Sequence, residues 1–228
     1  MSSNAGRLFV VATPIGNLED ITLRALRVLR EADLVAAEDT RHTGHLLTHF
    51  EIRKPIVSYH EFNEAQRTVE LLRRLHAGER IALVSDAGMP TISDPGLRLL
   101  RASLTAAIPV EIVPGASALT MALAGSGITT APCLFYGFLP HKSGQRRKVL
   151  TTLSTLPYSL VFFESPHRIA RSLADMREIL GNRQVAVARE LTKKFEEFLR
   201  GDLDSLLKML ETRSLKGEIT VVVQGAPE

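Results

Sequence analysis

The sequence predicts two α/β domains of the kind that hold a ligand in the cleft between them, the first with a mainly parallel sheet and the second with a mixed sheet. Three observations carry this. The first half repeats one pattern: a short apolar run, a loop of small or polar residues, then an amphipathic helix. That alternation marks a parallel sheet covered by helices on both faces. After "GSGITTAP", residues 125–132, the pattern shifts, and the strands "RQVAVARE" and "KFEEFLRG" follow with only "LTK" between them. So short a link makes a hairpin, hence an antiparallel pair. Finally, 228 residues at 45% hydrophobic and 23% charged are enough for a large core in one or two domains. We divide the chain into residues 1–117 and 118–228.

Taken in order, "LFVVA" is the first strand, "TPIGNLED" its loop, and Asp20 the N-cap of the helix "ITLRALRVLREA". "DLVAA" leads through "EDTR" into "HTGHLLTHF", capped by Asp39 or Thr40. "PIVSY" precedes "NEAQRTVELLRRLHAG", which Gly78 stops. "IALVS" runs into "DAGMPTISDPG", where Asp94 can cap and Pro95 can open the helix "GLRLLRASL". "VEIV", "PGAS" and "ALTMALAGSG" close the first series. Beyond the seam, "CLFYGFL", "YSLVFFE", "RQVAVARE", "KFEEFLRG" and "EITVVVQG" read as strands. "GQRRKVLTTLS" reads as a helix capped by Ser143. "HRIARSLADMREIL" follows Ser165 as N-cap with Pro166 at the first helical position, and "DLDSLLKMLETR" is the last helix.

Several classes are excluded. No apolar run is long enough to span a bilayer, and "MSSNAGRLFV" lacks the apolar core of a signal peptide, which implies a cytoplasmic location. A single cysteine, Cys133, leaves no internal disulfide and no cysteine metal cluster. Neither a G-x-G-x-x-G fingerprint nor a Walker A motif occurs. The net charge of +3 does not by itself argue for nucleic acid.

Chemistry collects in the loops. "SDAGMPT" after the fourth strand is bare and rigid, which suits a ligand at the C-terminal edge of an open sheet. "TPIGN" and "VPGASA" are similar, though each also reads as ordinary turn punctuation. "AAEDTRHTG" packs Glu38, Asp39 and Arg41 at a strand end; one acid serves as a cap and the other is left over. His42, His45 and His49 share a helical face, but three on one helix rarely close a coordination shell, and no metal is assigned. In "LPHKSGQRRKVL", Arg146, Arg147 and Lys148 oppose the dipole of their own helix, so the run is either a solvated face or a phosphate cradle. Glu164 and Arg168 in "FFESPHRI" are not accounted for by the helix start.

These loops, with "GFLPHKSGQRRK", "ARELTK" and "KGEITVVV", occur in order over nearly the whole chain. Together they resemble the ribosomal RNA methyltransferases of the tetrapyrrole methylase superfamily. The resemblance implies a homodimer that uses S-adenosylmethionine to methylate the ribose 2′-hydroxyl of a cytidine near the decoding centre of 16S rRNA in the 30S subunit. It places the donor against Ile15, Gly16, Asp86, Ala87, Gly88, Met89, Ile92, Pro114, Gly115, Ala116, Ser117 and Ala118. In the second half it adds Phe163, Glu164, Ala188, Leu191, Gly217, Glu218 and Ile219. Residues 1–117 would then carry the substrate side and part of the donor site, and 118–228 the remainder and the basic run. Arg41, His42, Lys142, Arg146, Arg147, Lys148 and Arg168 would face the RNA. Met89 stands where the family usually carries threonine, and relatives commonly continue beyond the position of Glu228 into a small helical domain.

Methyl transfer to a ribose is an in-line displacement that depends on alignment and desolvation, and a base near the hydroxyl assists it. Asp39 and Glu38 are the candidates for that base. Two rivals stand beside this expectation: a C-methyltransferase acting on a carboxylate-rich corrinoid precursor, and a catalytically idle RNA-binding module of ribosome assembly.

Overall fold

A computed structural model describes residues 6–227; the first five residues of the stretch considered for a targeting signal lie outside the described residues. The chain forms two compact units, Met1–Ser117 and Ala118–Glu228.

The first unit contains strands β1 (Arg7–Val11), β2 (Leu34–Ala37), β3 (Ile56–Ser58), β4 (Arg80–Val84) and β5 (Val110–Val113). They form one parallel sheet in the order β3-β2-β4-β1-β5. The central strands are apolar along nearly their whole length because both faces are covered: all four residues of β2 are buried. Helices α1 (Leu23–Glu31) and α2 (Thr40–His49) cover one face, with Val28, Leu29 and Leu47 against Phe9, Val11 and Val84. Helices α3 (Glu64–His76) and α4 (Leu97–Thr105) cover the other, with Leu71, Leu75 and Leu99 against Leu8, Val10 and Leu83. Strand β4 lies between β1 and β2, yet its helix leaves on the opposite face from theirs. The strand order reverses there, which is where open sheets leave a crevice at their C-terminal edge.

The second unit opens with α5 (Ala118–Ser126) and contains β6 (Cys133–Phe138), β7 (Ser159–Glu164), β8 (Gln184–Arg189), β9 (Glu197–Asp202) and β10 (Ile219–Val223). The order is β6-β7-β10-β8-β9, with β6 and β7 parallel and the other pairs antiparallel, so the sheet is mixed as expected. Helices α6 (Ser143–Leu153), α7 (Ile169–Leu180) and α8 (Leu203–Thr212) share one core, in which Leu150, Leu173, Met176 and Leu206 meet Leu160, Phe162, Val187 and Val221. The β8–β9 link spans residues 190–196 rather than "LTK" alone, and Glu190 and Thr192 take positive φ within it.

Four helix starts differ from the sequence expectation. Thr22, not Asp20, caps α1 by accepting from the Ala25 amide at 3.0 Å; Asp20 belongs to a preceding 3-10 turn capped by Asn17. Gly96, at φ 129°, precedes α4, and Asp94 does not cap it. Ser143 caps nothing: its hydroxyl donates to Asp175 at 3.0 Å. Helix α7 begins at Ile169, because Ser165 starts a separate turn whose carbonyl accepts from the Arg168 and Ile169 amides. Asp39 does cap α2, accepting from the Arg41 amide at 2.8 Å. Among the described residues no helix is long and apolar enough to cross a membrane.

Candidate functional site

In the first unit the loops following β1, β2 and β4 are tied together at the C-terminal edge. Thr13 and Gly88 form a reciprocal backbone bridge, with N–H···O distances of 2.9 and 3.1 Å, and the Thr13 hydroxyl donates to the Ser85 carbonyl at 3.1 Å. Gly88 has φ 83°, a conformation that disfavours a side chain. The Asp39 amide donates to the Asp86 carboxylate at 3.0 Å, and the Asp86 amide donates to Glu38 at 3.3 Å. Thr91 and Ser93, further along the β4 loop, hold φ 77° and 66°. Strain of this kind in non-glycine residues gathers at ligand sites.

This edge carries Glu38, Asp39, Asp86 and Asp94. Of these four acids only Asp39 has an ion-pair partner among the described residues, Arg41 at 2.7 Å. The Arg41 side chain and backbone hold the Asp39 carboxyl well below the usual range. Burial pushes the Glu38 carboxyl up, against the Asp86 amide that favours its ionised form. Burial, assisted by the charge of Glu38, pushes Asp94 up to about 6. Within one cluster, then, Asp39 is a weak base and Glu38 a stronger one. Asp94, which the sequence presents as a helix cap, joins them as a group that titrates near neutrality. Nothing in its local pattern signals this, because burial comes from the fold.

The surplus negative charge suits a ligand that bears a sulfonium and an ammonium group. Gly16, Pro114 and Gly115 expose backbone beside it, while Ile15 is 6% exposed. Ala116, Ser117 and Ala118 are half-buried, Ile92 is exposed, and Met89 packs against the core beneath α3 and α4. The residues present fit the expected donor. Gly115 is bare for a further reason: a β-carbon there would lie 2.8 Å from that of Ala12. Among the described residues no group of three or more His, Cys, Asp or Glu is arranged to hold a metal ion.

In the second unit the register gathers the named segments at one end of the sheet. Ile219 pairs with Glu164 on one side and Arg189 on the other, which brings 163–164, 188–191 and 217–219 together. Phe163 lies edge-on between Phe135 and Phe138. Ala188 and Leu191 are buried. Gly217, at φ 84°, lies against the Glu190 side chain, which also accepts from the Glu218 amide at 3.0 Å. The carboxylate of Glu164 is turned inward at 3% exposure, bonded to Arg168 at 2.6 Å, to the Ser165 amide and to the Ser172 hydroxyl. Its side chain is therefore not free for a donor. Arg168 is committed to Glu164 and to the Leu139 carbonyl, and so is not an open phosphate ligand.

The basic run needs the largest correction. Arg146 is 3% exposed; its guanidinium lies 2.5 Å from Asp175 and donates to the Pro140 and His141 carbonyls. The anion that a helix N-terminus prefers is supplied by the protein itself, from α7. Arg147 pairs with Glu178. Lys142 and Lys148 remain exposed, as do Arg41 and His42 in the first unit.

A family model described as tetrapyrrole (corrin/porphyrin) methylases matches residues 7–207. Ribosomal RNA small subunit methyltransferase I of Halalkalibacterium halodurans is 50% identical, over 98% of this chain and 77% of its own. The Thermotoga maritima protein of the same name is 49% identical, over 96% of this chain and 99% of its own. Among solved structures, a cobalt precorrin-4 methyltransferase superposes with a TM-score of 0.71 at 18% identity, covering 98% of this chain and 96% of that one. Uroporphyrin-III C-methyltransferase from Thermus thermophilus, in complex with S-adenosylhomocysteine, gives 0.67 at 19%, covering 95% and 97%. At such identities the structural likeness speaks for the fold.

Proposed function

The chain belongs to the tetrapyrrole methylase family, and from that premise we propose that it transfers a methyl group to the 2′-hydroxyl of a cytidine ribose in 16S rRNA, within the 30S subunit. It is an S-adenosylmethionine-dependent methyltransferase. The observation that carries the RNA reading is the identity of about one half to ribosomal RNA small subunit methyltransferases over almost the whole chain. The corrinoid reading draws on the description of the family model and on structures near 20% identity, which speak for the fold.

When bound, the donor supplies an already activated methyl group. The chain's task is to hold the ribose hydroxyl in line, exclude water and take its proton. We assign that proton to a carboxylate oxygen of Glu38, since Asp39 is bound to Arg41 and weakly basic. The loops at 13–16, 85–92 and 114–117 are the proposed donor-binding elements of the first unit, with Ala118 opening the second. Phe163 and the backbone near Ala188, Leu191, Gly217 and Ile219 are those of the second. Incubation with 30S subunits and methyl-labelled donor is expected to label one cytidine ribose. Labelling of a base, or none at all with an active preparation, would refute the assignment.

The same reading makes the protein a cytoplasmic homodimer. In support, the edge strands β5 and β6 expose large apolar side chains, Ile112 at 50% and Phe138 at 54%. Light scattering is expected to give twice the 25.1 kDa chain mass; a monomer at micromolar concentration would count against it.

A further inference from the structure

An open groove of about 1080 Å³ runs along the first unit from Glu38 and Asp94 to the turn before α3 and the outer face of α4. In its lining Phe62 is 89% exposed. A bulky apolar residue just before a helix cap ordinarily packs against the fourth helical residue as a staple. Here the cap position is Asn63 and that fourth residue is Arg67, which is committed to the Ser58 carbonyl and Glu70. Local structure therefore gives Phe62 no partner of that kind. His60, in edge contact with its ring at 6.0 Å, has a buried Nδ1 without a hydrogen-bond partner among the described residues. The same lining holds Arg98, paired with Glu64 at 3.2 Å, and Arg101, which is exposed and has no ion pair among the described residues.

We infer that this groove receives the target nucleoside of a splayed single strand, with the pyrimidine stacked on Phe62, the flanking phosphate on Arg101, and the ribose toward Glu38 and Asp94. The groove's lining supplies the chemistry a nucleotide needs: an aromatic face for a base, a guanidinium for a phosphate, and carboxylates for hydroxyl and amino donors. Carboxylates accept from the exocyclic amino group of cytosine, which uracil lacks. Unstacked RNA bases are read on aromatic side chains in this way. The raised carboxyls of Glu38 and Asp94 lessen the repulsion that four acids in the groove would otherwise exert on RNA.

The inference rests on the RNA reading above, and the test separates the two. Phe62→Ala is expected to raise the KM for 30S subunits by roughly 10- to 100-fold, the range of one lost stacking contact. Donor affinity by calorimetry and the thermal midpoint should not move, because the side chain is exposed. Phe62→Trp should retain the wild-type KM, and Arg101→Ala should flatten the salt dependence of 30S binding by about one counterion. Wild-type labelling with an unchanged KM in Phe62→Ala overturns the groove alone. Equal loss in Phe62→Ala and Phe62→Trp overturns stacking, and absence of wild-type labelling overturns both readings.

Discussion

Arg146→Ala is expected to lower the thermal midpoint by roughly 10 °C, whereas Arg147→Ala should shift it by only a degree or two. The two arginines are neighbours in one basic run, and their local sequence does not distinguish them. Arg146 is buried against Asp175 and two carbonyls. Removing it leaves Asp175, itself 8% exposed, with only the Ser143 hydroxyl and the more distant Arg147, at 4.0 Å, to offset its charge. Such a loss costs about 3–5 kcal/mol, and in a chain of this size each kcal/mol moves the midpoint by about 2–4 °C. The side chain of Arg147 is 39% exposed and pairs with one that is 57% exposed, where such pairs contribute about 0–1 kcal/mol. Asp175→Ala should resemble Arg146→Ala, since it strands the guanidinium instead. Melting curves for the three variants test this, and a midpoint for Arg146→Ala within two degrees of wild type would disprove the structural role.

Glu38→Gln is expected to reduce kcat for methyl transfer by about 10²- to 10⁴-fold, the usual contribution of a positioned base. Gln keeps the shape and can still accept the hydrogen bond from the Asp86 amide, so folding should survive. The pH dependence gives the sharper test. A carboxyl acts as a base only once ionised, so its contribution is absent below its pKa and present above it. Burial raises the pKa of Glu38, and the rate of the wild type should therefore climb over a range above that of an ordinary glutamate before levelling. In Glu38→Gln that limb should vanish. Asp39→Asn should leave it in place, although Asp39→Asn also loses an ion pair with Arg41. A Glu38→Gln enzyme that retains both its rate and its rising limb would remove Glu38 from the reaction.

Alternation of apolar runs and amphipathic helices made both sheets legible, because burial on two faces leaves little freedom in what a central strand can contain. The helix starts were less legible. Asp94 and Pro95, Ser143, and Ser165 and Pro166 all carry good local capping chemistry. In each case a tertiary partner or a backbone turn took the side chain elsewhere. The donor loops stood out by their small residues, yet Gly115 is bare at least partly because Ala12 lies beneath it. Arg146 was misread because its partner is 29 residues away on another helix. Phe62 escaped notice because a lone aromatic in "HEFNEAQ" has no periodicity to set it apart; only its exposure gives it meaning.

The reciprocal bridge between Thr13 and Gly88 has a bearing on how such a protein can be altered or recombined. Each residue's amide is satisfied by the other's carbonyl, so neither loop has a self-sufficient shape. A one-residue deletion between Val11 and Ile15 would displace the donor and acceptor that the segment after β4 requires. That segment would then have to change length or lose its turn at Gly88. The two stretches, some seventy positions apart, therefore form one heritable unit. A chimaera that imports the first without the second inherits half of a shape, and a lineage that remodels one must remodel its counterpart in step.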